Sequence, residues 1–251
     1  MIMGKLSFTI QSVLSIIVLI LIWQIAADYY RLPNLPSPII VLKVIQQHLI
    51  NGQLFYHLVI TLRRLLISFS IAMLIGITLG ILCGRYSRFN SWFEPWLLLM
   101  LNLPALVTIM LCYVWLGLNE TAALLAVILN KIPNVIVTIR EGSRNLNTEL
   151  LEMAHCYRFN QQKILFEIIL PQLQPFIIAA TRSGLALIWK IILVVELLGC
   201  SNGMGYQLQL FFQLFDIASI LAYSFAFILV MQFLELFLLQ PWQHYTQRWK
   251  R

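Results

Sequence analysis

Few side chains in this chain are placed for covalent chemistry. The four histidines, His48, His57, His155 and His244, are dispersed, and no nucleophile–base or metal-ligand spacing accompanies them. The four cysteines, Cys83, Cys112, Cys156 and Cys200, form no CxxC pair, the spacing that a redox or zinc site would show. There is no GxxxxGK[ST] stretch, so no phosphate-cradling loop is written in the sequence. The chemistry on offer is charge in an apolar setting. Lys131, Arg182, Lys190, Glu196 and Glu235 each interrupt a long apolar run, and an ionisable group at membrane depth is costly enough to be a functional candidate by default. Glu196 reads evenly as a pathway residue or as the partner of a basic residue such as Arg63 or Arg64. Lys190 could lend an anion a favourable field, pair with Glu196 or snorkel, and the structural roles are favoured. Lys131 and Glu235 read as helix-end or packing groups, and Trp115 and Trp189 as packing.

A second concentration of charge lies outside the apolar runs. The chain is 60% hydrophobic and 11% charged, yet Arg140, Glu141, Arg144, Glu149, Glu152, Arg158, Lys163 and Glu167 fall within one stretch. Asn147 is suited to cap a helix from Thr148 to about Tyr157, with Glu149 at the positive end of its dipole. Asn160 is suited to cap a second, Gln161–Ile169, whose Ile164, Leu165, Ile168 and Ile169 form one apolar side. Two short helices joined by "YRFN" are expected. A turn between membrane spans needs only a few residues, and a folded insertion of this size has a use.

The elements that must position these groups follow from composition. With 251 residues and a mean hydropathy of +0.83, the chain has too little polar surface for a soluble domain. Roughly 20 apolar residues cross a bilayer, and six segments qualify: Phe8–Ala27, Leu65–Gly84, Pro95–Asn119, Thr121–Ile139, Pro171–Gly199 and Ile217–Leu239. The expected fold is all-α, a polytopic membrane protein with six transmembrane helices. Lys5 before an apolar run has the look of a secretory signal, but Phe8–Ala27 holds 20 uncharged residues where an h-region has about 7–15, so a retained span is expected. Three prolines in "LPNLPSP" make a stiff turn. Ser37 and Pro38 then open a short helix, Ile39–Ile50, expected at the membrane surface. Gly76, Gly80 and Gly84 allow close helix approach, as internal packing or as a dimer face, with internal packing favoured. Pro104 should kink or break the third span near Leu103-Pro104 and is a candidate pathway-lining position. "CSNGMGYQL", Cys200–Leu208, reads as a glycine-rich loop.

Even span number puts both termini on one side. With that side cytoplasmic, ten of the 17 Lys and Arg residues lie inside (Lys5, Arg85, Arg88, Arg140, Arg144, Arg158, Lys163, Arg248, Lys250 and Arg251) and four outside (Arg31, Lys43, Arg63 and Arg64). The positive-inside rule selects this orientation. The net charge of +7 is therefore topological charge, and no basic face with interleaved aromatics indicates nucleic acid.

The quoted segments resemble a family. Bacterial ABC-importer permeases carry a cytoplasmic motif that begins Glu-Ala-Ala, has glycine six residues after the Glu and ends Ile-x-Leu-Pro. This chain has "EMA" at Glu152, Met153 and Ala154, and "IILP" from Ile168 through Leu170 to Pro171. "LPSP" (Leu35–Pro38), "WLGLNETA" (Trp115–Ala122), "GLALIWKIILVVELLG" (Gly184–Gly199) and "GMGY" (Gly203–Tyr206) look like the nitrate/sulfonate/taurine branch. These matches cover nearly the whole chain in order. They are specific to the family and not to a solute. Arg158 departs from the pattern, standing where the glycine is expected. Either Asn160 takes the left-handed position or the turn is reshaped.

The resemblance implies a single permease domain over 1–251, with a peripheral first span at 8–27, a core at 57–240 and a coupling segment at 147–169 that docks on a separate ATPase subunit. It implies a type I ABC importer permease in the bacterial inner membrane, working as a homodimer and fed by a periplasmic or lipid-anchored solute-binding protein. It implies no cofactor in this chain, with ATP and Mg on the partner ATPase. The solute class suggested is small and anionic. Glu152, Met153, Ala154, Arg158, Asn160, Ile168, Leu170 and Pro171 are the expected coupling residues, and Pro104, Lys190 and Glu196 the pathway or gate candidates. Two other readings stay open: a secondary transporter or channel independent of an ATPase, and a degenerate permease kept as a scaffold, which Arg158 alone supports.

Overall fold

A computed structural model describes residues 2–30, 32 and 34–239. Arg31, His244 and the basic tail through Arg248, Lys250 and Arg251 lie outside the described residues, as does the end of the expected 57–240 core. The described residues form helices joined by short turns, with no strand among them. In chain order they form α1 (Ile2–Tyr30), α2 (Pro38–Ile50), α3 (Gln53–Arg85), α4 (Ser87–Asn102), α5 (Ala105–Leu116), α6 (Glu120–Arg144) and α7 (Thr148–Cys156). Then come α8 (Gln161–Gly199), α9 (Met204–Gln213) and α10 (Ile217–Leu234), which ends in a π turn at Glu235–Leu239.

Four of these, α3, α6, α8 and α10 extended to Phe237, are long and apolar enough to cross a membrane, and the α4–α5 pair adds a fifth passage if counted as one span. The expected span Phe8–Ala27 falls inside α1, whose stretch Leu14–Tyr30 is a shorter apolar helix.

Local stereochemistry sets most boundaries. Ser37 caps α2 by accepting from the Ile40 N–H, with Pro38 in the first turn. Asn119 accepts from Ala122 N to start α6, and Asp216 from Ser219 N to start α10. Pro104 forces Leu103 into an extended conformation, and α4 and α5 meet at 98°. The break falls where the proline predicts it, but it is a sharp corner and no gentle kink.

Three elements differ from expectation. The second span begins well before Leu65, because α3 runs unbroken from Gln53 through Arg63 and Arg64. Arg64 stays in the helix because its charge is paired internally. The helix α2 rests one face on α10, with the His48 ring edge-on to Phe211 and Tyr223, while Ile39, Ile40, Leu42, Leu49 and Ile50 stay exposed, as a helix at a surface would have them. The expected separate helix Gln161–Ile169 is fused to the following span. A widened π turn, Ile164–Ile169, makes the join, with the Leu170 N–H bonded back to the Leu165 carbonyl. Finally, the "CSNGMGYQL" loop gives way at Met204 to α9.

The tightest packing joins α3 to α6. A Cβ at Gly76, Gly80 or Gly84 would overlap Val135, Ile139 or Ser143 respectively, so this stripe is internal packing between two spans. One apolar cluster gathers Tyr113, Ile188, Ile192, Val195 and Met204 towards one end of α8. Another gathers Leu146, Ala154, Ile164, Ile168 and Leu173 towards the other.

Candidate functional site

The helix α8 is the frame of the site. Its 39 residues make a rod of about 60 Å at 1.5 Å per residue. The charged segment sits at one end and Glu196 near the other.

At the first end, the Asn147 side chain accepts from the backbone N–H of Glu149 (2.8 Å) and starts α7. Asn147 is itself held by its own N–H, which donates to Gln172 Oε1 on α8 (2.9 Å). α7 closes with the Phe159 N–H reaching back to the Ala154 carbonyl (2.9 Å), the long bond of a Schellman turn. The residue that turn places in the left-handed region is Arg158, at φ +52°. Asn160 is extended, with φ −68° and ψ 151°, and its side chain makes no capping bond. The turn keeps the glycine conformation with an arginine in it.

The segment then sorts its side chains. Ala154, Ile164, Ile168 and Ile169 are buried and hold α7 to α8. Glu152, Met153, Arg158, Asn160 and Pro171 are exposed, and Leu170 is half-buried. A shallow cleft of about 400 Å³ runs between the two helices, lined by Leu150, Met153, Phe159, Glu167, Ile168 and Pro171. The surface left open is therefore mixed, with Glu152 and Arg158 exposed and Glu167 on the wall of a largely apolar slot.

At the other end, Glu196 is fully buried and completely partnered. Its carboxylate accepts from Arg64 Nη1 (2.8 Å), Thr61 Oγ1 (2.9 Å) and the Gly205 N–H (2.9 Å). Arg64 turns its other edge to Glu120, with Nη2 donating at 2.6 Å and Nε at 3.0 Å, and donates from Nη1 to the Asn202 carbonyl (2.8 Å). His57 Nδ1 accepts the Gly203 N–H (3.0 Å). In the neutral ring that leaves the proton on Nε2, 2.7 Å from Gln207 Nε2, so the two bond when the Gln207 carboxamide is turned to present its oxygen. Thr61 Oγ1 accepts from the Met204 N–H (2.9 Å). Gly203 is held at φ +109°, and a Cβ there would overlap the Glu196 carboxylate. Tyr113 of α5 donates to the Val195 carbonyl (2.8 Å). This network ties α3, α5, α6, α8 and the turn into α9 into one knot, with every buried charge paired as low-dielectric burial requires.

Lys190 is not part of it. It is exposed, with Nζ 5.6 Å from the ring centroid of its neighbour Trp189. Of the two arginines named for Glu196, Arg64 makes the pair, while Arg63 stands 3.7 Å from Glu120 at the surface. Pro104 sits exposed at the corner between α4 and α5.

The sequence did not point to His57, Thr61, Glu120 or Asn202. A usable signal exists for two of them: His57, Thr61 and Arg64 recur at i, i+4 and i+7, a polar stripe on one face of an otherwise apolar helix. Of the two readings of Lys131, helix-end or packing group, the structure has the second. It is 1% exposed, and its Nζ reaches the Ala180 carbonyl of α8 at 3.4 Å.

These features have counterparts among known proteins. Residues 76–248 match the family model described as binding-protein-dependent transport system inner membrane component. SsuC of Bacillus subtilis, named as an aliphatic sulfonates transport permease protein, is 28% identical over 194 residues, covering 76% of this chain and 70% of that protein. The taurine transport system permease protein TauC of Escherichia coli is 25% identical over 205 residues, covering 79% and 74%. The solved inward-facing MetNI methionine ABC transporter has a chain that superposes with a TM-score of 0.55 at 17% identity, covering 75% of this chain and 90% of that one; at that identity the likeness speaks for the fold. With two thirds of its length inside the family model and a permease fold around it, the chain belongs to the binding-protein-dependent transport system inner membrane components, the membrane-spanning permeases of ABC importers.

Proposed function

We propose that the α7–α8 turn is the surface on which an ABC ATPase acts, and that α8 carries its movement to the Glu196 knot. The observation that carries this reading is the continuity of α8. One helix bears the exposed Glu152–Arg158 turn at one end, through the Ala154–Ile168 packing, and a five-element polar knot at the other. A displacement at the turn cannot be absorbed by a hinge between separate helices, because the segment expected to be a separate helix is fused to the span. Two positions of this rod, biased by ATP on the partner, are a two-state equilibrium set by a remote ligand.

In this reading Glu152 pairs with a basic residue of the ATPase and Met153 seats in its groove. Arg158 and Asn160 shape the turn, while Ala154, Ile168, Leu170 and Pro171 hold it to α8. ATP and Mg²⁺ bind the ATPase, and this chain hydrolyses nothing. Both termini are cytoplasmic, in a bacterial inner membrane, and the whole chain forms one permease domain.

The working unit is a homodimer. Leu103 and Pro104 are exposed at the α4–α5 corner, and irregular backbone at membrane depth is tolerated only against protein or a water-filled cavity. A second copy across a shared pathway supplies that cover. The solute is a small anion of the nitrate, sulfonate or taurine class, delivered by a binding protein; the sulfonate and taurine permeases it resembles support this.

The test is a pull-down of the tagged chain in mild detergent, with partners identified and ATP hydrolysis assayed. A stoichiometric ATPase that is lost in Glu152→Lys, with membrane insertion unchanged, is the expected result. A chain that purifies alone with its fold intact, or uptake that follows an ion gradient and ignores ATP depletion, would overturn it.

A further inference from the structure

A cleft of about 550 Å³ opens between α8 and α10. It shares no lining residue with the Glu196 knot or with the α7–α8 turn. On α8 it is lined by Ala179, Arg182, Ser183, Leu185, Ala186 and Trp189, and on α10 and its π turn by Ile228, Met231, Gln232 and Glu235. On both helices these positions recur three or four residues apart, so one face of each helix forms the wall. The volume lies within the range of about 300–1,000 Å³ typical of small-ligand sites.

We infer that this cleft is a weak binding site for a small organic anion, with Arg182 supplying the charge and Glu235 the counter-ion that the anion displaces. The inference rests on the importer reading for its biological use, though not for its chemistry. Arg182 Nη2 and Glu235 Oε1 lie 3.6 Å apart, and both side chains are about half exposed (52% and 40%). The chain thus contains the same charge pair in two settings. Arg64 and Glu196 are sealed at 2.8 Å with side-chain exposures of 3% and 0%. The Arg182–Glu235 contact is longer and solvated, the kind of ion pair that contributes little to stability. A planar guanidinium takes a sulfonate or carboxylate as readily as it takes Glu235. Ser183 Oγ donates to its own helix through a long bond, 3.4 Å to the Ala180 carbonyl, which a hydroxyl can exchange for a ligand by rotating. The Gln232 carboxamide is a second neutral donor.

The remaining wall suits a short alkyl body. Leu185, Trp189, Ile228 and Met231 are apolar, while Ala179 and Ala186 leave room. Trp189 packs against Phe227, with centroids 5.8 Å apart. The exposed Lys190 adds a second positive charge beside that ring. A resident carboxylate that re-takes Arg182 when the anion leaves keeps affinity low, as a transit site needs: favourable enough to enter, weak enough to leave.

The experiment uses Ser183→Cys in the detergent-solubilised chain. It is reacted separately with sulfonatoethyl and with trimethylammonioethyl methanethiosulfonate, and each site is read by peptide mass spectrometry. The exposed native Cys156 is the internal reference. The expected anionic-to-cationic rate ratio at position 183 exceeds that at Cys156 by roughly tenfold. It falls to parity when Arg182→Gln is added, and methanesulfonate competes at position 183 more strongly when Glu235→Gln is added. Equal ratios at the two sites, or no effect of either charge change, would overturn the proposal. In cells, Arg182→Gln should raise the KM for aliphatic sulfonate uptake while the ATPase still co-purifies. An unchanged KM with the ATPase bound defeats the cleft alone, whereas a wild-type chain with no ATPase defeats the importer reading.

Discussion

Arg64 Nη1 and Glu196 Oε1 meet 2.8 Å apart although 132 positions separate them in the chain. The pair is the only charge contact between α3 and α8 among the described residues, and neither side chain reaches solvent to any useful extent. Burying two charges costs several kcal/mol each before their attraction returns it. Leaving one of them alone is the worst outcome. Arg64→Met should therefore destabilise the fold by about 3–5 kcal/mol, since Glu196 keeps only Thr61 and the Gly205 N–H as partners. Arg64→Met combined with Glu196→Met should recover most of that loss. Thermal unfolding in detergent, set out as a double-mutant cycle, measures the coupling. Additive losses would show that the two side chains do not depend on each other.

What was legible in the sequence was what local stereochemistry decides. Asn147 as a cap, Pro104 as a break and Ser37-Pro38 as a helix start each need only neighbouring residues, and each is found. What depended on distant partners was not legible. Arg63 and Arg64 looked like the edge of a span because a charge inside one is costly, and the compensation comes from Glu196 and Glu120 far along the chain. The π turn that fuses Gln161–Ile169 to α8 reflects packing of Ile164, Ile168 and Ile169 on Ala154 and Leu173, which no period in the segment announces. Lys131 bonds a backbone carbonyl, a partner without a side-chain signature.

Arg158 offers a second test. An L residue in the left-handed region costs roughly 1–2 kcal/mol that glycine does not incur, and Arg158 sits there at φ +52° with its side chain exposed. Since the Schellman bond from Phe159 to Ala154 is already formed, Arg158→Gly relieves strain without redrawing the turn. The expected gain is about 1 kcal/mol, partly offset by the looser unfolded chain. Arg158→Val, β-branched, should lose more than Arg158→Gly gains. Limited proteolysis between α7 and α8 reads the local effect directly. Faster cleavage in Arg158→Gly than in the parent would contradict it.

Lys131 is the charge with the least company. It is 1% exposed in α6, and its ammonium packs against Gly184, where a Cβ would occupy the same space. Its hydrogen bond to the Ala180 carbonyl is long at 3.4 Å, and an ammonium has three protons to place. A methionine of similar length fills the same slot without the desolvation cost. Lys131→Met should be neutral or stabilising by about 1–2 kcal/mol, which for a chain of this size is a rise of roughly 2–8 °C in Tm. Lys131→Glu, which sets a carboxylate against a carbonyl oxygen, should fail to fold. If Lys131→Met instead lowers Tm, the ammonium has a second acceptor and belongs to the scaffold. If Tm rises while uptake falls, the charge is kept for transport at the expense of stability, as intramembrane ionisable groups generally are.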